Sequence, residues 1–188
     1  MSETFICLLL IIFMIIEEPI TMATGYRILR ANYTENFEIF CTEPDFFLSV
    51  TSTYSSEHKD RKWDFTCGSS SQISVSSKRS RCYWHGFSGI YDQPFKLECL
   101  KNGFMQGIGS IYSNHHKDRM WDYYCCFKDE YSVKNCYTTD QLNKYSEPLK
   151  YNIPDGYVLR GFNSSHHNIY EDRIYWFEFC KLITATSE

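Results

Sequence analysis

Apolar and polar side chains alternate along most of this chain. In DRKWDFTC, from Asp60 to Cys67, the residues Arg61, Trp63, Phe65 and Cys67 share one side of an extended backbone; Asp60, Lys62, Asp64 and Thr66 share the other. A period of two marks a strand with one buried face. The alternation returns in DRMWDYYC (118–125), and matching strand-like runs precede both copies, DFFLSVTSTYS (45–55) and GFMQGIGSIYS (103–113). A third run, GYVLRGFNSSH (156–166), begins at the turn Pro154-Asp155-Gly156, where proline presets φ and glycine admits a positive one. No segment has an apolar stripe at helical spacing. Aromatic and β-branched residues fill the runs, with Gly and Pro between them. The pattern predicts an all-β chain of hairpins.

The hairpins repeat. HKDRKWDFTC (58–67) and HKDRMWDYYC (116–125) are near copies, and YEDRIYWFEFC (170–180) is a diverged third. Arg61, Arg119 and Arg173 lie 58 and 54 positions apart, as expected of one supersecondary unit used three times; pseudo-threefold symmetry follows naturally. In the third copy Trp176 stands three residues after Arg173 instead of two. A β-bulge between them is predicted, returning Trp176 and Cys180 to the arginine's face. Each guanidinium on that face is expected over the neighbouring indole, a contact worth about 0.5–2 kcal/mol. Loop carbonyls or an aspartate of another unit would be its acceptors. Asp60, Arg61, Trp63, Asp118, Arg119, Trp121, Asp172, Arg173 and Trp176 are therefore read as architecture.

One stretch breaks the alternation. ICLLLIIFMII (6–16) is unbroken and ends at Glu17, Glu18 and Pro19. It has the length of a secretory signal's hydrophobic region and falls short of the ~20 residues of a membrane helix, although it lacks a basic start. Cleavage after Ala23 is expected, making residues 1–23 a signal peptide and 24–188 one domain, with no membrane span. The remaining 165 of 188 residues suffice for a real core. Losing Glu3, Glu17 and Glu18 takes the net charge from −4 to −1, without the basic excess of a nucleic-acid-binding protein.

Of nine cysteines, Cys7 leaves with the leader and eight remain, an even count that reads as a disulfide framework. Zinc is disfavoured, because no C-x-x-C pair exists and adjacent Cys125-Cys126 is poor ligand spacing. Repeat symmetry selects Cys41–Cys67, Cys99–Cys125 and, for the third unit, Cys136–Cys180, leaving Cys82–Cys126. An exchange of Cys125 and Cys126 between Cys82 and Cys99 stays open. Sequons at Asn32 and Asn163 suit the same secretory route.

The thrice-used, Cys-bounded D-R-x-W-x-[FY] unit resembles the dermatopontin family of tyrosine-rich extracellular matrix proteins. Asp60-Arg61-Lys62-Trp63-Asp64-Phe65 and Asp118-Arg119-Met120-Trp121-Asp122-Tyr123 match it, and Asp172 to Phe177 diverge. CYWHGFSGIYDQPFKLEC, the Cys125-Cys126 doublet and fifteen tyrosines agree with it, across essentially residues 26–180. The additional cysteine pair of vertebrate members is absent, as is RGD. The resemblance implies a non-catalytic adhesive protein of the extracellular matrix. Its partners would be proteoglycans, other matrix proteins and cell-surface receptors, in support of collagen-fibril assembly and cell adhesion. Invertebrate relatives of the family include agglutinins and cell-aggregation factors.

Among local sites, Lys78, Arg79 and Arg81 in SKRSRC (77–82) form the densest basic cluster. Clustered cations on a Ser-rich connector suit a sulfated glycosaminoglycan, through charge-assisted pairs; the competing reading is a solvated linker. Adjacent histidines on a strand point opposite ways, so neither His115-His116 nor His166-His167 has good chelating geometry; with His58 they are read as loop residues, and no metal or cofactor is expected. No G-x-S-x-G, H-E-x-x-H or phosphate-cradling loop suggests catalysis. Tyrosines beside polar loops can stack on sugar faces, which keeps a glycan-recognising agglutinin as the alternative function.

Overall fold

The computed structural model describes residues 26–73 and 80–184, so the expected signal peptide, Lys78 and Arg79 lie outside the described residues. Within them are twelve strands and no helix. They are β1 Tyr26–Ala31, β2 Phe37–Phe40, β3 Phe46–Ser55, β4 Asp60–Gly68, β5 Arg81–Trp84, β6 Phe95–Glu98, β7 Phe104–Ser113, β8 Asp118–Phe127, β9 Tyr131–Thr138, β10 Leu149–Asn152, β11 Tyr157–His167 and β12 Asp172–Thr184. Three four-stranded sheets result, ordered β1-β4-β3-β10, β2-β7-β8-β5 and β6-β11-β12-β9.

Each sheet is centred on one of the repeated hairpins, β3–β4, β7–β8 or β11–β12. The repeat is larger than that hairpin, for two short strands precede it. The first of these (β1, β5, β9) pairs with the last strand of its own repeat. The second (β2, β6, β10) instead edges the hairpin of the next repeat, at β7, β11 and, closing the circle, β3. The three sheets thus exchange strands in a ring with pseudo-threefold symmetry.

Bulges fasten the exchanged strands. The register of each hairpin skips one residue at the same place, Leu48, Gln106 or Arg160. Their carbonyls accept the N–H groups of Ile153 (2.8 Å), Cys41 (2.8 Å) and Cys99 (3.0 Å), the residues that follow β10, β2 and β6. Beside the third bulge the exchanged strand comes so close that a Cβ on Gly161 would stand 2.5 Å from the Leu97 carbonyl oxygen. Glycine is required there by space.

The bulge expected between Arg173 and Trp176 is absent. His166↔Arg173, Ser165↔Ile174, Ser164↔Tyr175 and Asn163↔Trp176 run in unbroken register. The third repeat therefore has no insertion: Tyr175, 2% exposed, stands where Trp63 and Trp121 stand, and Trp176 faces outward and is half-buried. Aligning tryptophan with tryptophan misplaced the copy by one residue. Trp63, Trp121 and Tyr175 meet edge to face around the axis, with centroids 5.3, 5.1 and 6.0 Å apart, the arrangement aromatic quadrupoles favour.

Disulfides join Cys41–Cys67 and Cys99–Cys125, 26 residues apart, and Cys82–Cys126 and Cys136–Cys180, 44 apart. The first class ties the residue after an exchanged strand to a hairpin, and the second ties an edge strand to its own hairpin. Cys136–Cys180 is consequently the counterpart of Cys82–Cys126, not of Cys41–Cys67 as repeat symmetry first suggested. In the third repeat Ile153 and Phe179 occupy the places of the other bridge.

Candidate functional site

Two residues before each member of the aromatic triad stands an arginine, at one end of the three sheets and only 3% exposed. A lone buried cation is costly, so each takes a carboxylate from another repeat. Arg61 donates to Asp172 (Nε and Nη2, both 2.7 Å), Arg119 to Asp60 (2.7 and 2.6 Å) and Arg173 to Asp118 (2.6 and 2.7 Å). These two-pronged bonds are of the strong, charge-assisted kind. Together they close a ring of three ion pairs around the axis, each clasping two repeats. The guanidinium groups do not lie over the indoles. Arg61 lies over Tyr54 (5.8 Å to the centroid), Arg119 over Phe37 and Tyr112 (5.4 Å each) and Arg173 over Phe95 (4.9 Å).

A second repeated triplet completes the ring. Tyr33-Thr34-Glu35, Tyr91-Asp92-Gln93 and Tyr145-Ser146-Glu147 lie between the two short strands of each repeat. The middle residue has φ of 60°, 65° or 63°. Its N–H donates to Asp60 (2.6 Å), Asp118 (2.8 Å) or Asp172 (2.8 Å). The next carbonyl, of Glu35, Gln93 or Glu147, accepts from Arg119 (3.0 Å), Arg173 (3.2 Å) or Arg61 (2.9 Å). Each tyrosine stacks on a ring from the hairpin loop: Tyr33 on His58 (4.7 Å, 9°), Tyr91 on His116 (4.6 Å, 10°) and Tyr145 on Tyr170 (4.8 Å, 7°). Sequence reasoning missed this triplet, although Tyr33, Tyr91 and Tyr145 keep the 58- and 54-residue spacing of the arginines.

The ring departs from symmetry at one junction. Tyr54 and Tyr112 donate their hydroxyls to the carbonyls of Tyr170 (2.7 Å) and His58 (3.0 Å). Burial, followed by the charge of Asp60, pushes Tyr112 up to about 12. In the third repeat the equivalent residue is His166, its side chain 1% exposed, with Nδ1 3.5 Å from Asp92 and Nε2 4.0 Å from Asp118. Asp92, Asp118 and His166 present donor atoms within 4.8 Å of one another. Asp118 already accepts from Arg173, however, and a cation there would face a guanidinium. The trio belongs to the charge ring. The other such cluster, Cys136, Glu178 and Cys180, has its sulfurs joined in a bridge.

Arg81 lies at the opposite end. It pairs with Phe127, the last residue of β8, whose first residue is Asp118. Ten residues at ~3.4 Å each separate the two ends by about 30 Å. The Arg81 guanidinium is exposed and bonds the equally exposed Asp129 at 2.6 Å. Beside it is a groove of about 480 Å³ lined by Phe40, Thr42, Glu43, Ser80, Gln106 and Tyr124, among others. Of the sequons, Asn32 is exposed after β1. Asn163 lies half-buried within β11, between Lys96 and Trp176 on the flanking strands.

A family model described as Dermatopontin matches residues 31–184. The hemagglutinin/amebocyte aggregation factor of Limulus polyphemus is 31% identical over 150 residues, 78% of this chain and 82% of that protein. Dermatopontin of Biomphalaria glabrata is 25% identical over 145 residues, 77% of this chain and 94% of that one. Human dermatopontin is 26% identical over 153 residues, 79% and 74%. No solved structure matches. With its repeats, bridges and match over most of its length, the chain belongs to the dermatopontin family.

Proposed function

We propose that this is a secreted, non-catalytic adhesion protein of the extracellular matrix that grips a sulfated glycosaminoglycan of a proteoglycan through Lys78, Arg79 and Arg81. The observation that carries this reading is the division of the positive charge. Arg61, Arg119 and Arg173 are sealed inside the ring, so an anionic chain meets only surface cations. Among the described residues Arg81 is held by one exposed ion pair, to Asp129, worth about 0–1 kcal/mol, which a sulfate group can displace. Matrix proteins and cell-surface receptors are the further partners of this reading, and exposed Asn32 is its acceptor for N-linked glycan.

Affinity for heparin should fall with salt, because exposed charges are screened over about 8–10 Å at physiological ionic strength. Replacing Lys78, Arg79 and Arg81 by Ala is expected to lower the salt needed for elution from heparin without changing thermal stability. Asp129→Ala, which frees Arg81, is expected to raise it. A triple variant that elutes with the unaltered protein would show that the segment is only a linker. The agglutinin reading is favoured by the Limulus relative's name and by the three ring stacks at the other end.

A further inference from the structure

We propose that the stacks Tyr33–His58, Tyr91–His116 and Tyr145–Tyr170 are three equivalent stations for a neutral pyranose sugar, giving one chain a trivalent glycan-binding face. The inference rests on the extracellular-adhesion reading but not on the basic segment, of which the described residue Arg81 lies at the far end of the sheets. The motivating feature is a set of aromatic rings that cover no core. His58 and Tyr170 are exposed and the three tyrosines half-exposed, yet all six are held in nearly parallel pairs by a buried device. The residue after each tyrosine is fixed at positive φ by its bond to Asp60, Asp118 or Asp172. Rings fixed before a ligand arrives lose little freedom on binding.

The surroundings have the chemistry of sugar recognition. A pyranose presents an apolar C–H face, which fits an aromatic ring, and a rim of hydroxyls that need donors and acceptors. The third station opens on a groove of about 380 Å³ lined by Gln141, Lys144, Tyr145, Glu147, Tyr170 and Ile174. Two rings, an amide, an ammonium and a carboxylate therefore surround a space of sugar size, in the mix of apolar walls and few polar groups usual for small-ligand sites. At the first station Lys62 lies 5.9 Å over Tyr33 and Ser55 bonds His58 (2.9 Å); at the second Asp92 bonds His116 (3.0 Å). Both signs of charge appear around the face, which favours a neutral glycan over a sulfated one. Three weak stations on one rigid face gain avidity of 10²–10⁴ on a glycan-dense surface without any new contact. With Arg81 about 30 Å away along the strands, a single chain would bridge a glycan-coated surface to an anionic matrix.

The test uses the secreted full chain, freed enzymatically of N-linked glycan, because a chain at Asn32 would sit beside Tyr33. Methyl β-galactoside, methyl α-mannoside and N,N′-diacetylchitobiose are titrated while the tyrosine ring resonances are followed by NMR. At least one sugar is expected to bind with millimolar affinity at three sites per chain, moving signals of Tyr33, Tyr91 and Tyr145. Tyr145→Ala should leave two sites and lower retention on a surface coated with that sugar tenfold or more, with heparin elution unchanged. No binding of any of the three sugars at concentrations that saturate a millimolar site overturns the proposal. So does a stoichiometry of one, or binding undiminished in the triple variant Tyr33→Ala, Tyr91→Ala, Tyr145→Ala. Should that variant fail to fold, the stoichiometry and ring shifts of the unaltered protein decide. Altered heparin elution in the variant with Lys78, Arg79 and Arg81 replaced by Ala bears only on the glycosaminoglycan reading.

Discussion

Arg119→Ala is expected to destabilise the folded chain by about 3–5 kcal/mol, the cost of removing one partner from a buried ion pair. For a domain of this size that corresponds to a fall in melting temperature of roughly 6–20 °C. Asp60 would keep the N–H of Thr34 but lose both prongs of the guanidinium, an uncompensated charge away from water. The carbonyl of Glu35 would also lose its donor. Asp60→Ala should cost a similar amount. The double variant should cost clearly less than the two singles together, because neither charge is then stranded. Arg173→Ala should cost a comparable amount, since Arg173 makes the same two-pronged bond to Asp118 in a register without a bulge. Thermal unfolding and secreted yield provide the measurement. An Arg119→Ala protein that is well secreted and normally stable, yet has lost a partner, would show the ring to be a contact surface instead of a clasp.

The second large effect separates neighbouring residues. Tyr175→Ala is expected to cost about 3–5 kcal/mol, the range for deleting a buried aromatic ring, because Tyr175 completes the triad with Trp63 and Trp121. Trp176→Ala, on the outward face, should change stability by no more than about 1 kcal/mol. Denaturant unfolding of the pair settles the register in solution: equal losses, or the reverse order, would contradict the alignment of Tyr175 with the two tryptophans.

Strand content, the triple repeat and its approximate symmetry were legible in the sequence, because a period of two and a recurring Asp-Arg phrase are local signals. The exchange of β2, β6 and β10 was not. Those strands are four residues long, and which hairpin they edge depends on contacts between repeats that no local pattern records. The arginine was recognised as an oddity on an apolar face, but its aromatic neighbours were misjudged. Successive same-side residues on one strand are close in sequence, whereas the rings that reach the guanidinium come partly from other strands, Phe37 from β2 and Phe95 from β6. Tyrosine in place of tryptophan defeated the third alignment, because a Trp one position later offered a false anchor. The ring stacks were missed for a simpler reason: a tyrosine followed by a small polar residue looks like an ordinary loop until three copies are set side by side.

The cyclic loan of strands also sets a timetable for synthesis. As the chain emerges from its N-terminus, β3 and β4 can fold and Cys41 can bridge to Cys67 almost at once. The outer edge of β3 must then wait for Leu149–Asn152, made only after two further repeats have begun. Until then the edge of β3 stays unpaired, the kind of edge that invites pairing with another chain. The early bridge holds the waiting hairpin in shape, and the last short strand of the third repeat ends the vigil.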